Sequence, residues 1–533
     1  MSAIPPSLAF LFDIGENPWA ALPLVGSAPT SPPLQETLIA FSDLVIEHYE
    51  ELFAHNGPSN LVATYDSFAN PIDIQNDGLI WNQNDIFAPI GGVFGNDEIG
   101  VVSNNGRITV VTKFSLARGV ATSAQGILQN QGSIFAISNH NQAVGYNPYF
   151  GGDLPSANSG VIEAWSGYAD AYAVKADLGI EFVNSGTLSA KGYAAAFGLF
   201  ASGGITLHNS GTIGAIAGTG GRSVAVHQEW SGPLNVTNSG VIRADVAIEA
   251  RLQYHAFQFI TNMSNGVIQG DITLAKSTDS VTNEGLVVGN VSLGNFNDTY
   301  DSTDGRLVGA LYLGDGDDTA LGGVWADSYF AGRGNDQMIG GQGSDTLRGG
   351  DDNDSLFGDA QRDQVFGDEG DDVIDAGTGD DAADGGTGRD RAFGGSGFDL
   401  LNGGGGNDTL QGGTDADTLS GGNNYDVLEG GDGNDVLDGG DLNDVIFGNS
   451  GNDTIIFRKT GDTDTIRDFA AGAGAGDVIR LVGFGSGFDS FAEVLAAATD
   501  NGVDTTITFG GGDVIILRNV LASQLAADDF TFG

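Results

Sequence analysis

The sequence contains no cysteine, which excludes disulfides and thiolate metal sites. Basic residues are scarce: 20 Lys and Arg stand against 70 Asp and Glu, a net charge of −50. Without a basic footprint the chain is not a nucleic-acid binder, and direct docking on anionic lipid is disfavoured. Proline is sparse, 13 residues beside 86 glycines, so collagen is excluded and a Pro/Gly linker protein is disfavoured. No apolar run approaches the ~18 residues that suggest a membrane-spanning helix, and no transmembrane segment is expected. The first basic residue is Arg107, so the N-terminus shows no positive n-region and no secretory signal peptide is expected. Catalytic signatures are missing too. There is no H-E-x-x-H zinc helix and no G-x-S-x-G nucleophile elbow, and the six histidines show no metal-ligand spacing.

What is present is acid and glycine, unevenly placed. At 40% hydrophobic the chain is too apolar for a disordered acidic tail. Residues 313–456 hold 32 acidic residues and 5 arginines, a net of −27, and residues 1–106 hold 13 acidic and no basic residue. The 313–456 block divides without a gap into sixteen nonapeptides, for example Gly430-Gly-Asp-Gly-Asn-Asp-Val-Leu-Asp438. Position six is Asp in all sixteen and position eight is apolar in all sixteen, from Ala320 to Ile455. Glycine dominates positions one and two. This is the pattern of a calcium-binding β-helix repeat.

The spacing has a physical meaning. A short strand with one buried apolar side chain alternates with a glycine-rich turn that needs left-handed backbone. Two nonapeptides make one 18-residue coil. Asp318, Asp336, Asp354, Asp372, Asp390, Asp408, Asp426 and Asp444 then fall on one edge. Asp327, Asp345, Asp363, Asp381, Asp399, Asp417, Asp435 and Asp453 fall on the other. Carboxylates stacked ~4.8 Å apart repel unless a cation lies between them. Oxygen donors around small loops suit Ca²⁺, so these sixteen residues are the candidate ligands of multiple calcium ions.

Upstream, Asn-x-Gly followed by an alternating strand recurs, as in Asn158-Ser-Gly-Val-Ile162 and Asn238-Ser-Gly-Val-Ile242. Glycines at 78, 106, 132, 160, 186, 211, 240 and 266 mark coils of about 26 residues, followed by coils of about 20. Asparagines at equivalent turns are expected to stack as an amide ladder. The shrinking period predicts one continuous solenoid that narrows. Residues 34–53 show near-helical apolar spacing and predict an amphipathic helix that caps the first coil or serves assembly.

The nonapeptides resemble the RTX (repeats-in-toxin) calcium β-roll. That resemblance implies that backbone carbonyls of turn positions one to four join the Asp carboxylates of two stacked turns. Asp318 would then share an ion with Asp336, and Asp327 with Asp345. Trp325, Gln361 and Leu442 depart from glycine at position four, as do Asp352, Asp415 and Asn424, and sites on the first three turns are expected to be weak. Residues 457–533 resemble the C-terminal target region of RTX proteins exported by type I secretion. The upstream coils are similar to passenger-type β-helices of bacterial surface proteins.

The expected fold is all-β: a right-handed parallel β-helix/β-roll solenoid with a short N-terminal helical region and a C-terminal β cap. The expected divisions are 1–71 (helical cap or assembly), 72–312 (β-helix), 313–456 (calcium β-roll) and 457–533 (cap and secretion target). The expected role is structural or adhesive, on the surface of a Gram-negative bacterium or outside it, with folding on calcium after export. Self-association or a cell-surface glycan are the partners expected besides calcium. The alternative is a calcium-dependent polysaccharide-modifying enzyme of lyase or epimerase type, using a groove near Glu163, Trp165, Asp170, Tyr172 and Lys175. An aromatic loop at 140–150, with Tyr146, Tyr149 and Phe150, is a candidate binding element. No catalytic residue is assigned.

Overall fold

The computed structural model describes residues 99–112, 116–122, 127–148, 155–251 and 256–533 apart from 475, together with five earlier strands. The chain divides into Met1–Ala40, which lies outside the described residues, and Phe41–Gly533, which holds every element below. The second unit is a parallel β-solenoid, as the repeats led one to expect. Up to the C-terminal cap, its strands pair with their counterparts one coil away, not with their neighbours in sequence.

In the upstream coils three strands make one turn. Ile180–Asn184 lies in one sheet, and Thr187–Gly192 and Ala195–Ala201 form two rows of the other. Downstream, only two strands make a turn, as in Gln337–Gln342 and Thr346–Asp351. The middle row ends at Arg306–Val308, which pairs back with Leu286–Val288 of the coil before it. Losing that row shortens the coil, which explains physically why the period falls to 18. Trp325 sits just past this step, its ring 4.5 Å from the Arg306 guanidinium. The turn that carries it departs from the nonapeptide conformation because it follows the last middle-row strand.

The main core is a continuous column of apolar side chains, and a smaller cluster of Val144, Tyr172, Phe197 and Val224 packs apart from it. Position-eight residues line the main column from Ala320 through Met338, Leu401 and Leu437 to Ile455, each at most 3% exposed. In the two-strand coils, as in Gln337–Gln342, side chains alternate inward and outward, the period-two pattern of a half-buried strand, whereas upstream strands such as Ala143–Pro148 are buried along their whole length.

The N-terminal helix expected at 34–53 needs correction. Leu44–Ile46 and Glu51–His55 are strands. They run parallel to Ile72–Asn76 and Leu79–Asn84, so the solenoid begins before residue 72. A strand edge with unpaired N–H and C=O groups recruits short apolar segments more strongly than weak helical spacing can resist. The rest of 34–53 lies outside the described residues. At the other end, Thr463–Ile466 pairs with Asp513–Leu517, which forms an antiparallel hairpin with Thr505–Gly510. Helix Phe491–Ala497 and the rings of Phe457, Phe484, Phe488 and Phe509 close the last coil, as expected of a cap.

Candidate metal centre

The solenoid holds two kinds of polar column, and they differ in chemistry. Upstream, Asn104, Asn130, Asn158, Asn184, Asn209, Asn238, Asn262 and Asn283 form the expected ladder. Each Nδ2 donates to the next Oδ1 at 2.7–2.9 Å. An amide carries both donor and acceptor, so the column satisfies itself without charge.

Downstream, the columns are carboxylates. The structure places all sixteen position-six aspartates where the spacing put them, in two stacks, each at most 5% exposed. The backbone N–H of each Asp donates to Oδ1 of the Asp one coil on. The distance is 2.7 Å for Asp318 to Asp336, 2.8 Å for Asp372 to Asp390 and 3.0 Å for Asp435 to Asp453. A carboxylate has no donor to pass along. Oδ2 of every one of the sixteen except Asp327 is buried with no hydrogen-bond partner. Leaving a buried charged oxygen unpaired costs several kcal/mol.

At the C-terminal end of the roll each of the two columns closes on a further aspartate. Asp464 takes the N–H of Asp444 at 3.0 Å. Asp477 takes the N–H of Asp453 at 3.1 Å on Oδ1 and that of Ala470 at 2.7 Å on Oδ2, so neither oxygen is left over.

The turns are built for close approach. Position two is left-handed, as at Gly404 (φ +94°), and so is position four, as at Gly406 (φ +147°). Gln361 and Leu442 also accept left-handed backbone, with φ of +79° and +78°, so those turns keep the repeat geometry despite their side chains. Trp325 takes no positive φ. Position-one glycine has a different reason. A Cβ at Gly403 would lie 2.6 Å from Oδ2 of Asp408 and 2.6 Å from the carbonyl oxygen of Gly421.

Burial pushes the column carboxyls upward, helped by their stacked neighbours and opposed by the backbone N–H bonds. Asp336 and Asp444 rise to about 8, and Asp354, Asp390 and Asp417 to about 7. In unfolded chain the value is near 3.8. Between these limits the metal-free native state holds protons that the unfolded state has released. Its stability therefore falls as pH rises from about 4 to 8. In chelator, the β signal in circular dichroism is expected to be stronger at pH 5 than at pH 8. A flat or opposite trend counts against the assignment of these carboxyls as buried and unpaired. With calcium present the ion competes with these protons, so its affinity weakens toward pH 5.

The donor set fits a hard cation: buried carboxylate oxygens without partners, beside turns rich in backbone carbonyls. Among the described residues no three His, Cys, Asp or Glu side chains cluster in a way that could hold a metal. Any ion here must therefore draw on main-chain oxygen as well as Asp.

Of the other sequence candidates, Asp170, Tyr172 and Lys175 meet, the Tyr172 hydroxyl donating to Asp170 Oδ2 at 3.4 Å, while Glu163 and Trp165 lie on a separate strand, Val161–Ser166. Tyr146 is a core residue in strand Ala143–Pro148, its hydroxyl 3.0 Å from Ser156 Oγ, and Tyr149 and Phe150 lie outside the described residues. Lys175 lies over the Tyr172 ring, 4.7 Å from its centroid, and Lys191 over Trp165 at 4.6 Å. Burial raises the Glu163 carboxyl, with Lys191 opposing. Sequence reasoning missed one group. His227 Nδ1 lies 2.6 Å from Glu249, its Nε2 contacts Glu229, and Arg222 and Arg251 also bind Glu249. Only the register that sets His227 beside Glu249 brings these residues together.

The fold and the columns define a calcium-type β-roll joined to a wider β-helix. Comparison agrees. The model of the RTX calcium-binding nonapeptide repeat matches in overlapping blocks from 330–365 to 420–455. Residues 330–455 are thus RTX repeats, and repeats of this kind bind multiple calcium ions. Endo-1,3-1,4-beta-glycanase EglC of Rhizobium meliloti (strain 1021) is 35% identical over 71 residues, 13% of this chain. The chain spans 14% of that relative's length. Extracellular lipase LipA from Serratia marcescens is a structural neighbour at 17% identity. That match covers 38% of this chain and 41% of the lipase, with a TM-score of 0.19, and decides nothing here. Among the described residues no helix is long and apolar enough to cross a membrane.

Proposed function

We propose that this is an exported protein of a Gram-negative bacterium whose carboxylate half folds on calcium outside the cell, where it serves as a structural or adhesive element. The sixteen position-six aspartates are the side-chain ligands. The observation that carries this reading is the pair of buried columns with unpartnered Oδ2 atoms. Such columns are costly in a calcium-poor cytosol and become stabilising where calcium reaches the ~10⁻⁴–10⁻³ M at which extracellular modules bind. Residues 457–533, which close the solenoid, carry the export address in this reading.

The enzymatic alternative draws less support. Glu229 and Glu249 both engage His227, and Glu249 also engages two arginines. Groups so occupied make a packing network rather than an acid/base pair open to a glycan.

Assembly is testable in solution. With a net charge of −50 the protein repels its copies in chelator. Calcium neutralises much of the 313–456 block. Light scattering is expected to give the monomer mass in chelator and a multiple of it in millimolar calcium. Monomer in both conditions removes the layer or fibre role and leaves a solitary adhesin. The assembly role expected for residues 1–71 falls largely outside the described residues.

A further inference from the structure

We infer that one calcium column begins a turn before the recognisable repeats, in the site between turn 293–298 and turn 313–318. This rests on the reading of the columns as calcium sites. Residues 293–301 run Leu-Gly-Asn-Phe-Asn-Asp-Thr-Tyr-Asp, with Asp298 at position six and Tyr300 at position eight. Tyr300 is fully buried in the core column, as position eight requires.

The backbone agrees at each distinctive place. Gly294 at position two has φ +109°, and Phe296 at position four has φ +83°. A phenylalanine tolerates left-handed backbone poorly, so the surrounding turn imposes it. Gly294 and Asn295 lie in register with Gly314 and Asp315. The position-five side chains stack as well: Asp317 N–H donates to Asn297 Oδ1 at 3.2 Å, as Asn335 N–H does to Asp317 at 2.9 Å.

The carboxylates repeat the downstream arrangement. Asp298 N–H donates to Asp318 Oδ1 at 2.6 Å. Asp298 is 2% exposed, and its Oδ2 has no partner. One coil further up the carboxylate persists, since Asp279 N–H donates to Asp298 Oδ1 at 2.7 Å and its Oδ2 is buried without a partner, but the turn around it breaks. Ala275 and Ser277 stand where Gly294 and Phe296 do but take no positive φ, Lys276 occupies the third place, and the Ser277 hydroxyl already donates to Asp279 Oδ1. The column of sites therefore starts at the 293–298 turn. The run of contiguous nonapeptides stops short of it because residues 302–312, between the nine-residue segments 293–301 and 313–321, number eleven rather than nine.

The test is bound calcium per full-length chain, by equilibrium dialysis in millimolar calcium, for wild type, Asp298→Asn and Asp390→Asn. The inference expects Asp298→Asn to lose one equivalent and Asp390→Asn also to bind less than wild type. A loss in Asp390→Asn with none in Asp298→Asn overturns the inference and leaves the proposed function standing. No loss in either overturns both. Should Asp298→Asn not fold, a terbium-loaded wild-type crystal answers the question. An anomalous peak between the two turns supports the site, and peaks further along the column with none there overturn it.

Discussion

In excess chelator at pH 8, trypsin is expected to cut at Arg333, Arg348, Arg362, Arg389 and Arg391 while the three-row coils stay intact. In millimolar calcium the same five sites should resist. The contrast follows from the two polar columns. Asparagines 104 to 283 bond each other, with no charge to neutralise and no orphaned oxygen. The aspartate columns leave an unpaired oxygen at nearly every rung. Two such stacks, several kcal/mol per unpaired charge, exceed the ~5–15 kcal/mol that a folded domain usually has to spare. Some carboxyls escape the penalty by holding a proton, but at pH 8 most have lost it. Each ion bound only by the native state adds stability by mass action. Equal resistance with and without calcium would contradict this.

Gly403→Ala should be among the most damaging single changes in the roll. The new Cβ meets the Asp408 carboxylate, 2.6 Å from its Oδ2, and the Gly421 carbonyl oxygen, also at 2.6 Å. Neither can move without disturbing the stacked coil, so the cost is about 3 kcal/mol, with weaker calcium binding at that turn. Gln361→Gly should act in the opposite direction. Gln361 holds φ +79° where only glycine is unstrained. Removing the strain gains about 0.5–1 kcal/mol after the added unfolded-state entropy is subtracted. Calcium-dependent thermal melts of both variants check this. A Gly403→Ala melt equal to wild type would mean that position one is not the close approach described.

Much of this was legible from residue spacing. Invariant Asp at position six and apolar residues at position eight give coil length, stacking partners and core, because a strict period admits only one register. The asparagine ladder was legible for the same reason. What spacing could not convey was the role of each turn position. Gln361 and Leu442 looked like breaks in the repeat, yet neighbouring coils hold them in left-handed backbone. Trp325 looked like the same kind of break, but it follows the end of the middle row, a tertiary event with no local signal. Residues 44–46 and 51–55 went to strand because an open edge outweighed a faint helical pattern. The Asp298 turn was hidden by two extra residues in its coil, and the His227 group by its dispersal across strands.

The central claim is that the change from amide to carboxylate columns divides the solenoid into a half that folds by itself and a half that folds on calcium. Segment-resolved hydrogen exchange in chelator against millimolar calcium tests it most directly. The expected result is deep protection of strands between residues 127 and 283 in both conditions, with strands between 328 and 458 protected only in calcium. Protection of the 328–458 strands in chelator at pH 8, or its loss along the whole chain, would contradict the account.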